Sequence, residues 1–131
     1  MNNEVVSSLG DRALADPTAV AAAAQTSGPV LEIDNLNVQF VTSHGTLRAV
    51  EGLSYSVYPG EMVAIVGESG SGKSVSALAI MRLLPAGTAR VPSGSIRFSG
   101  RELLSLSEEE MRRVRGREIA MIFQEPMTSL N

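Results

Sequence analysis

The sequence contains no cysteine and only one histidine, and each scarcity removes a class of site. A chain without cysteine forms no disulfide bond and offers no thiolate ligand to a metal. The single imidazole, that of His44, does not build a histidine-rich metal cluster. The sequence therefore argues against a metal centre made from these residue types.

Positive charge is also scarce. The chain carries 11 lysines and arginines against 14 acidic residues, which gives a net charge of −3. A surface that binds nucleic acid needs clustered basic side chains. We therefore do not expect nucleic acid as a partner.

Long apolar runs are missing as well. The first residues, MNNEVVSS, lack the basic start and the continuous apolar core of a signal peptide. The alanine-rich run at 19–24 is far shorter than the roughly 20 apolar residues that cross a bilayer. We expect the chain to reach a membrane only through a partner.

The composition divides the chain into two parts. Residues 1–29 are rich in alanine, serine, aspartate and threonine, and Pro17 and Gly28-Pro29 interrupt them, so we interpret them as a disordered leader. Residues 30–131 hold the regular apolar segments, and the 44% apolar content of the chain supports a buried core. We predict that this second part is the folded domain.

The pattern of the second part is that of an α/β chain. Alternating apolar residues predict two extended segments at 30–41 and 47–58, joined by a hairpin turn at 42–45. Short apolar runs predict further strands, and apolar residues at helical spacing predict helices. These strands are expected at 62–66, 95–98 and 118–123, and the helices at 73–84 and 107–116.

The second predicted helix carries its own boundary signals. Ser107 and Glu110 have the spacing of a capping box, in which each side chain bonds the backbone of the other residue. Gly116 is placed to end the helix. The arginines of the last turn suit the helix dipole and are interpreted as a solvated helix end. They are Arg112, Arg113 and Arg115.

One motif carries chemistry. Residues 67–74, GESGSGKS, match G-x-x-x-x-G-K-[ST] at every fixed position. The run lies between a predicted apolar strand and a predicted helix, which is the context such a phosphate-binding loop requires. Its members are Gly67, Glu68, Ser69, Gly70, Ser71, Gly72, Lys73 and Ser74.

The residue types of this loop suit the phosphate chain of a nucleotide. Its three glycines let the backbone wrap tightly, so that successive N–H groups point into one concavity. The N-terminus of the following helix adds a partial positive charge. We expect Lys73 to reach the β- and γ-phosphates and the Ser74 hydroxyl to ligate Mg²⁺.

The motif alone leaves the activity open. A small-molecule kinase, a GTPase and a transport ATPase all use such a loop. A kinase is expected to place the loop close to its N-terminus, whereas 66 residues precede the loop here. The segments around the motif have to decide between these activities.

Those segments resemble the ATP-binding subunits of ABC transporters. Two extended segments are followed by Pro59-Gly60-Glu61, an apolar strand, GESGSGKS, a helix, and an apolar strand that ends in glutamine. The last strand and the residues after it, MIFQEPMTSLN at 121–131, are similar to the Q-loop of this family. The two motifs together resemble the branch of dipeptide, oligopeptide, glutathione and nickel importers, and the resemblance spans residues 30–131.

The resemblance implies a fold, a function and partners. The fold is α/β, a P-loop NTPase of the ABC type, here its N-terminal part with an antiparallel β-subdomain and the start of the parallel-sheet core. The function is ATP binding and, in the full-length form, ATP hydrolysis that drives import of peptides or similar small solutes. The implied partners are ATP, transmembrane permease subunits and a second ATP-binding subunit in a head-to-tail dimer, at the cytoplasmic face of the cell membrane.

The resemblance also implies roles for single residues. Phe40 matches the aromatic residue that stacks on adenine, with an ordinary core phenylalanine as the alternative. Gln124 matches the Q-loop glutamine, whose amide contacts Mg²⁺ or the attacking water, and is expected to act in catalysis with Lys73. Glu125 is interpreted as part of the Q-loop rather than as a general base, and His44 is not the switch histidine of the family.

Three motifs of the family do not occur in these 131 residues: the LSGGQ-type signature, the Asp-Glu end of the Walker B strand, and the switch histidine. Phosphoryl transfer depends on positioning and charge stabilisation. We therefore expect the chain as given to bind nucleotide with little or no turnover. The alternatives are a P-loop small-molecule kinase and a nucleotide-binding fragment that does not hydrolyse ATP.

Overall fold

A computed structural model of the chain describes residues 28–124. The predicted leader, 1–29, and the end of the predicted Q-loop, including Glu125, lie almost wholly outside these residues. The regular elements are β1 (Leu31–Thr42), β2 (Gly45–Val57), α1 (Lys73–Ile80), β3 (Ala89–Phe98), β4 (Arg101–Glu102), a 3₁₀ turn (Leu103–Ser105) and α2 (Glu108–Arg117). Between residues 28 and 124, no helix has the length and apolar character needed to cross a membrane.

The strands form one antiparallel sheet in the order β2-β1-β3-β4. β1 and β2 make a hairpin in which Thr42 pairs with Gly45, so that the turn contains only two residues. The Thr42 hydroxyl donates to the Gly45 carbonyl at 2.8 Å. The two extended segments and the turn predicted from the sequence are confirmed. β3 starts at Ala89 and is longer than the strand predicted at 95–98.

A side-chain amide bridges a break in the pairing of β1. The register shifts on both sides of Asn37, whose side chain donates to the Asn35 carbonyl at 2.8 Å and accepts from the Gly52 N–H at 3.0 Å. β3 approaches closely at Gly94, where an added β-carbon would lie 2.5 Å from the α-carbon of Leu36. The break leaves the buried face continuous, because Leu36 remains fully buried.

The core lies between the sheet and the two helices. The sheet supplies most of it, α1 supplies Ala79, and α2 supplies Met111 and Val114. Several of these side chains have no measurable exposure. The buried apolar residues are Ile33, Leu36, Val38, Val50, Ala79, Met81, Ile96, Leu103, Met111 and Val114.

α1 ends four residues earlier than predicted, at Ile80. Arg82 ends the helix, because its φ of 51° lies in the left-handed region. Its N–H donates to the Ala79 carbonyl at 3.0 Å, and the Leu83 N–H donates to the Leu78 carbonyl at 2.9 Å. A turn of this kind closes a helix through its last carbonyls. The helix is therefore ended by a left-handed arginine before Pro85 is reached.

Two arginines bond the end of α1 to the rest of the chain. The Arg82 guanidinium donates to the carbonyl of Leu106 at 2.6 Å. Arg115 of α2 donates to the carbonyl of Met81 at 2.7 Å and to that of Arg82 at 3.1 Å. The interpretation of Arg115 as part of a solvated helix end is wrong, because only 19% of its side chain is exposed. It satisfies carbonyls that a helix end leaves without intrahelical partners.

The start of α2 is as predicted and its end is not. The Glu110 N–H donates to the Ser107 hydroxyl at 3.2 Å and the Ser107 N–H donates to the Glu110 carboxylate at 2.8 Å, which confirms the capping box. The helix runs on through Gly116 to Arg117, and the Glu118 N–H donates to the Val114 carbonyl at 2.9 Å. Gly116 is therefore not the C-cap, because the cap residue Glu118 adopts a helical backbone without needing glycine.

Two predicted strands are not formed. Residues 62–66 and 118–123 are not strands, and their apolar side chains are largely exposed, with Met62 at 96%, Val66 at 91% and Ile122 at 89%. A parallel strand pairs across a connection of a dozen or more residues. Within residues 28–124 neither segment has a paired neighbour. Both segments are apolar, but the neighbouring strands with which they would pair are not present among residues 28–124.

Candidate functional site

One cavity of about 520 Å³ brings the predicted site residues together. β1 contributes Phe40 at one side, the glycine-rich loop and the first turn of α1 contribute six of the predicted loop positions, and Gln124 completes the lining. The lining residues are Phe40, Leu47, Arg48, Ala49, Ser69, Gly70, Ser71, Gly72, Lys73, Ser74, Val75 and Gln124. Segments far apart in the sequence therefore meet at one site.

The loop packs against β2 at Gly72. This residue has a φ of +87°, and an added β-carbon would lie 2.5 Å from the Ala49 carbonyl oxygen, a backbone atom, so the position requires glycine. At Gly67 an added β-carbon would lie 2.6 Å from the Ser71 hydroxyl, which would have to move. Two glycines of the motif are thus favoured by close contacts. Gly67 lies close to Ser71 within the loop, and Gly72 lies close to the neighbouring strand β2.

Lys73 directs its ammonium group back into the loop. Its Nζ donates to the carbonyl of Gly67 at 2.6 Å, to the carbonyl of Glu68 at 2.5 Å and to the Ser71 hydroxyl at 3.0 Å. Gly67 and Glu68 do not border the cavity themselves, but their carbonyls bond the lysine that does. All three ammonium protons have acceptors, so the cation has a defined place in the concavity of the loop.

The first turn of α1 faces the same cavity. Gly72 is the N-cap, and its carbonyl accepts from the Ser76 N–H at 2.8 Å. The N–H groups of the first turn have no intrahelical partner, and the turn contains no acidic residue. Ser74 is exposed there, and this residue borders the cavity. The arrangement favours an anion at the helix start.

The β1–β2 hairpin contributes lining residues that are apolar except for Arg48. Phe40 is half-buried and packs against the core, and its partner across the ladder is Leu47. Ala49 follows on β2, and Arg48 between them forms an exposed ion pair with Glu51 at 3.8 Å. A flat apolar ring system can lie against such a surface.

Sequence reasoning missed the residues that β2 contributes. The signal was present in the hairpin, because a two-residue turn at 43–44 pairs position 42 with 45 and therefore position 40 with 47. His44 lies in that turn, where its N–H donates to the Thr42 hydroxyl at 3.3 Å. It does not border the cavity.

The described residues contain no ready-made metal cluster. Across 28–124, no group of three or more histidine, cysteine, aspartate or glutamate side chains is placed to bind an ion. The lining residues whose side chains carry oxygen are Ser69, Ser71, Ser74 and Gln124. Hard cations such as Mg²⁺ take oxygen ligands and commonly combine one or two protein groups with phosphate oxygens. The cavity fits a metal that arrives with a phosphate chain.

The family model described as ABC transporter matches residues 50–131. The dipeptide transport ATP-binding protein DppD of Bacillus subtilis is 54% identical over 102 residues, which cover 78% of this chain and 30% of that protein. The oligopeptide transport ATP-binding protein OppD of the same organism is 51% identical, with 78% of this chain and 28% of that protein covered.

A third relative has a different solute in its name. The glutathione import ATP-binding protein GsiA of Escherichia coli O1:K1 is 51% identical over 110 residues, covering 80% of this chain and 18% of that protein. The chain thus spans less than a third of the length of these three relatives.

Proposed function

Because the chain belongs to the ABC transporter family, we propose that its cavity binds Mg-ATP and that, in the full-length form, hydrolysis of this ATP drives import of peptides or similar small solutes. The family membership confirms the resemblance read from the two sequence motifs. It also favours a transport ATPase over a small-molecule kinase.

The observation that carries the proposal is the composition of the 520 Å³ cavity. A lysine ammonium and a helix start lie at the loop, where a phosphate chain finds donors and positive charge. Phe40 lies on the hairpin side, where adenine finds an aromatic face. One cavity therefore offers both a cation and apolar side chains, which suits a ligand that joins a charged phosphate chain to a flat base.

Ser74 and Gln124 are the residues that would hold Mg²⁺ together with phosphate oxygens. The metal, when bound, neutralises charge that develops on the transferred phosphoryl group. Lys73 adds a second positive charge beside the phosphates and, with Gln124, makes up the catalytic contribution of the described residues. Gln124 orients the attacking water through its amide.

Hydrolysis needs groups that the described residues do not place at the cavity. Among residues 28–124, no aspartate or glutamate borders it. We propose that turnover requires a second ATP-binding subunit, packed head to tail, and motifs that the 131 residues lack. The 131 residues by themselves are expected to bind nucleotide without appreciable hydrolysis.

The proposed partners follow from the relatives. DppD, OppD and GsiA are named as ATP-binding proteins of dipeptide, oligopeptide and glutathione transport. We propose that this chain likewise serves transmembrane permease subunits, at the cytoplasmic face of the cell membrane. Which of these solutes is carried depends on the permease side of the assembly.

The proposal is tested by Mg-ATP binding to the wild type and to Lys73→Ala. Loss of the ammonium group is expected to weaken binding by about tenfold or more, because a charge-assisted phosphate contact disappears. Arg113→Ala is the matched control: it removes the same charge from a side chain that is 69% exposed on α2 and does not border the cavity. Equal affinity of the two variants would contradict the proposed site.

A further inference from the structure

We propose that Arg115 is a positioning residue for the phosphate site, because it holds the end of α1 and so sets where Lys73 and Ser74 lie at the cavity. The inference rests on the proposed function. It adds a residue of α2 that does not border the cavity and that neither the glycine-rich motif nor the family resemblance indicates.

The Arg115 side chain bonds the end of α1 through two of its nitrogen atoms. Nε donates to the Met81 carbonyl at 2.7 Å, and Nη2 donates to the Arg82 carbonyl at 3.1 Å. The third nitrogen, Nη1, donates to the Glu108 carboxylate at 2.7 Å. Each nitrogen of the guanidinium thus has an acceptor, and the planar group fixes the directions of the three bonds relative to one another.

Arg82, which accepts from Arg115, also donates across the same junction. Its guanidinium donates to the carbonyl of Leu106 at 2.6 Å and to that of Leu103 at 3.3 Å, in the turn that precedes α2. Its φ of 51° is a left-handed conformation, which a residue other than glycine keeps only when its surroundings hold it there. The bonds on both sides of the junction hold this backbone, so the end of α1 has one defined position.

The shortness of α1 connects this position to the cavity. The helix has eight residues, which corresponds to a length of about 12 Å. Its first two residues are Lys73 and Ser74, and both border the cavity. A binding site works when its groups are held within about 0.5 Å of the productive geometry. A shift at the end of so short a helix therefore misplaces the groups that face the phosphates.

The experiment measures binding of Mg-ATP and of magnesium tripolyphosphate to the wild type, Arg115→Ala and Arg113→Ala. Arg115→Ala is expected to weaken both ligands by the same factor, about three- to tenfold, because α1 presents its groups to the phosphates. Arg113→Ala is the matched control. Arg113 lies on the same helix, bonds the exposed Glu109 and does not border the cavity, so its loss should leave both affinities unchanged.

A double-mutant cycle with Lys73→Ala separates positioning from a general loss of stability. If Arg115 acts through α1, Arg115→Ala costs the Lys73→Ala variant much less affinity than it costs the wild type, because the ammonium group that it places is already gone. Losses that multiply contradict the inference. Unfolding alone reduces the apparent affinity by the folded fraction, so a threefold loss would need about two thirds of the protein to be unfolded. Circular dichroism under the binding conditions detects that.

Arg115→Lys is the second variant, which tests the inference even if Arg115→Ala does not fold. It keeps the charge and the aliphatic stem but lacks the planar group that reaches both carbonyls, and it should weaken both ligands by roughly two- to fourfold. Wild-type affinity of Arg115→Lys or of Arg115→Ala would overturn the inference, and so would a loss confined to Mg-ATP. Failure of the proposed function gives a different pattern, because then Lys73→Ala binds both ligands as the wild type does.

Discussion

Two regions of the molecule have similar apolar composition but differ in how far their side chains are buried. They are the four-stranded sheet and the pair of segments at 62–66 and 118–123. Val38 and Ile96 of the sheet are fully buried, whereas Met62 and Ile122 are 96% and 89% exposed. Both regions contain runs of large apolar residues. Only the first has strands that pair with neighbours along the described chain.

The difference shows what each kind of pairing requires. The β1–β2 pair closes through a two-residue turn, so its partner strand is local in the sequence and costs little loop entropy. Parallel strands meet only across long connections. An apolar run therefore identifies a candidate strand, but the position of its partner decides whether the strand forms.

The largest effect is expected from Leu36→Ala in the sheet. Removing most of a fully buried side chain should lower the free energy of unfolding by about 2–5 kcal/mol. Met62→Ala removes a side chain of similar size that is 96% exposed and should change it by about 0.5 kcal/mol or less. Urea denaturation of both variants measures the contrast. Similar losses would mean that residues 62–66 are packed in solution, and the comparison of the two regions would fail.

A smaller effect is expected at the junction of the two helices. Arg115→Ala leaves the carbonyls of Met81 and Arg82 without their charged donor, and should cost about 1.5–3 kcal/mol. Arg113 on the same helix bonds only the exposed Glu109, so Arg113→Ala should cost about 0.5 kcal/mol. Thermal and urea unfolding separate the two variants. A junction that tolerates Arg115→Ala as well as Arg113→Ala would show that the Arg115 bonds do not stabilise it.

The smallest effect concerns the capping box of α2 and depends on pH. Bonds from the Ser107 N–H and hydroxyl lower the pKa of Glu110. The folded pKa then lies below the unfolded one, so this stabilisation is present above the unfolded value and disappears as pH falls through the folded value. Ser107→Ala should cost about 1 kcal/mol at neutral pH.

The pH dependence is the test of the cap. The difference in unfolding free energy between the wild type and Ser107→Ala should become smaller in acid, at pH values below those at which a glutamate side chain usually titrates. Unfolding curves at neutral and acid pH measure this. A difference that stays constant with pH would show that the hydroxyl, rather than the ionised Glu110, supplies the cap.

The features that sequence reasoning predicted are those encoded within a few residues. The hairpin depends on a turn at 42–45, the capping box on residues 107 and 110, and the loop on eight consecutive positions. The ABC-type fold was recognised from two motifs, and the family match confirms it. The roles of Phe40, Lys73 and Gln124 stay predictions, although one cavity gathers them.

The features that were missed depend on residues distant in the sequence. Arg115 bonds carbonyls 33 and 34 positions away, and no local pattern distinguishes it from a solvated arginine. Leu47 joins the cavity only through its pairing with Phe40. The unpaired segments at 62–66 and 118–123 have the composition of strands, and composition does not report whether a partner is present.

The way α1 is held has a mechanical consequence. Its first residue follows Gly72, which touches the Ala49 carbonyl so closely that no β-carbon fits between them. The carbonyls of Met81 and Arg82, the two residues that follow its end, accept from Arg115 of α2. The helix is thus held at both ends, at its start by the contact of Gly72 with β2 and at its end by the bonds from Arg115 of α2. A displacement of the loop along the helix axis would therefore strain the contact with β2 and the bonds to α2 together.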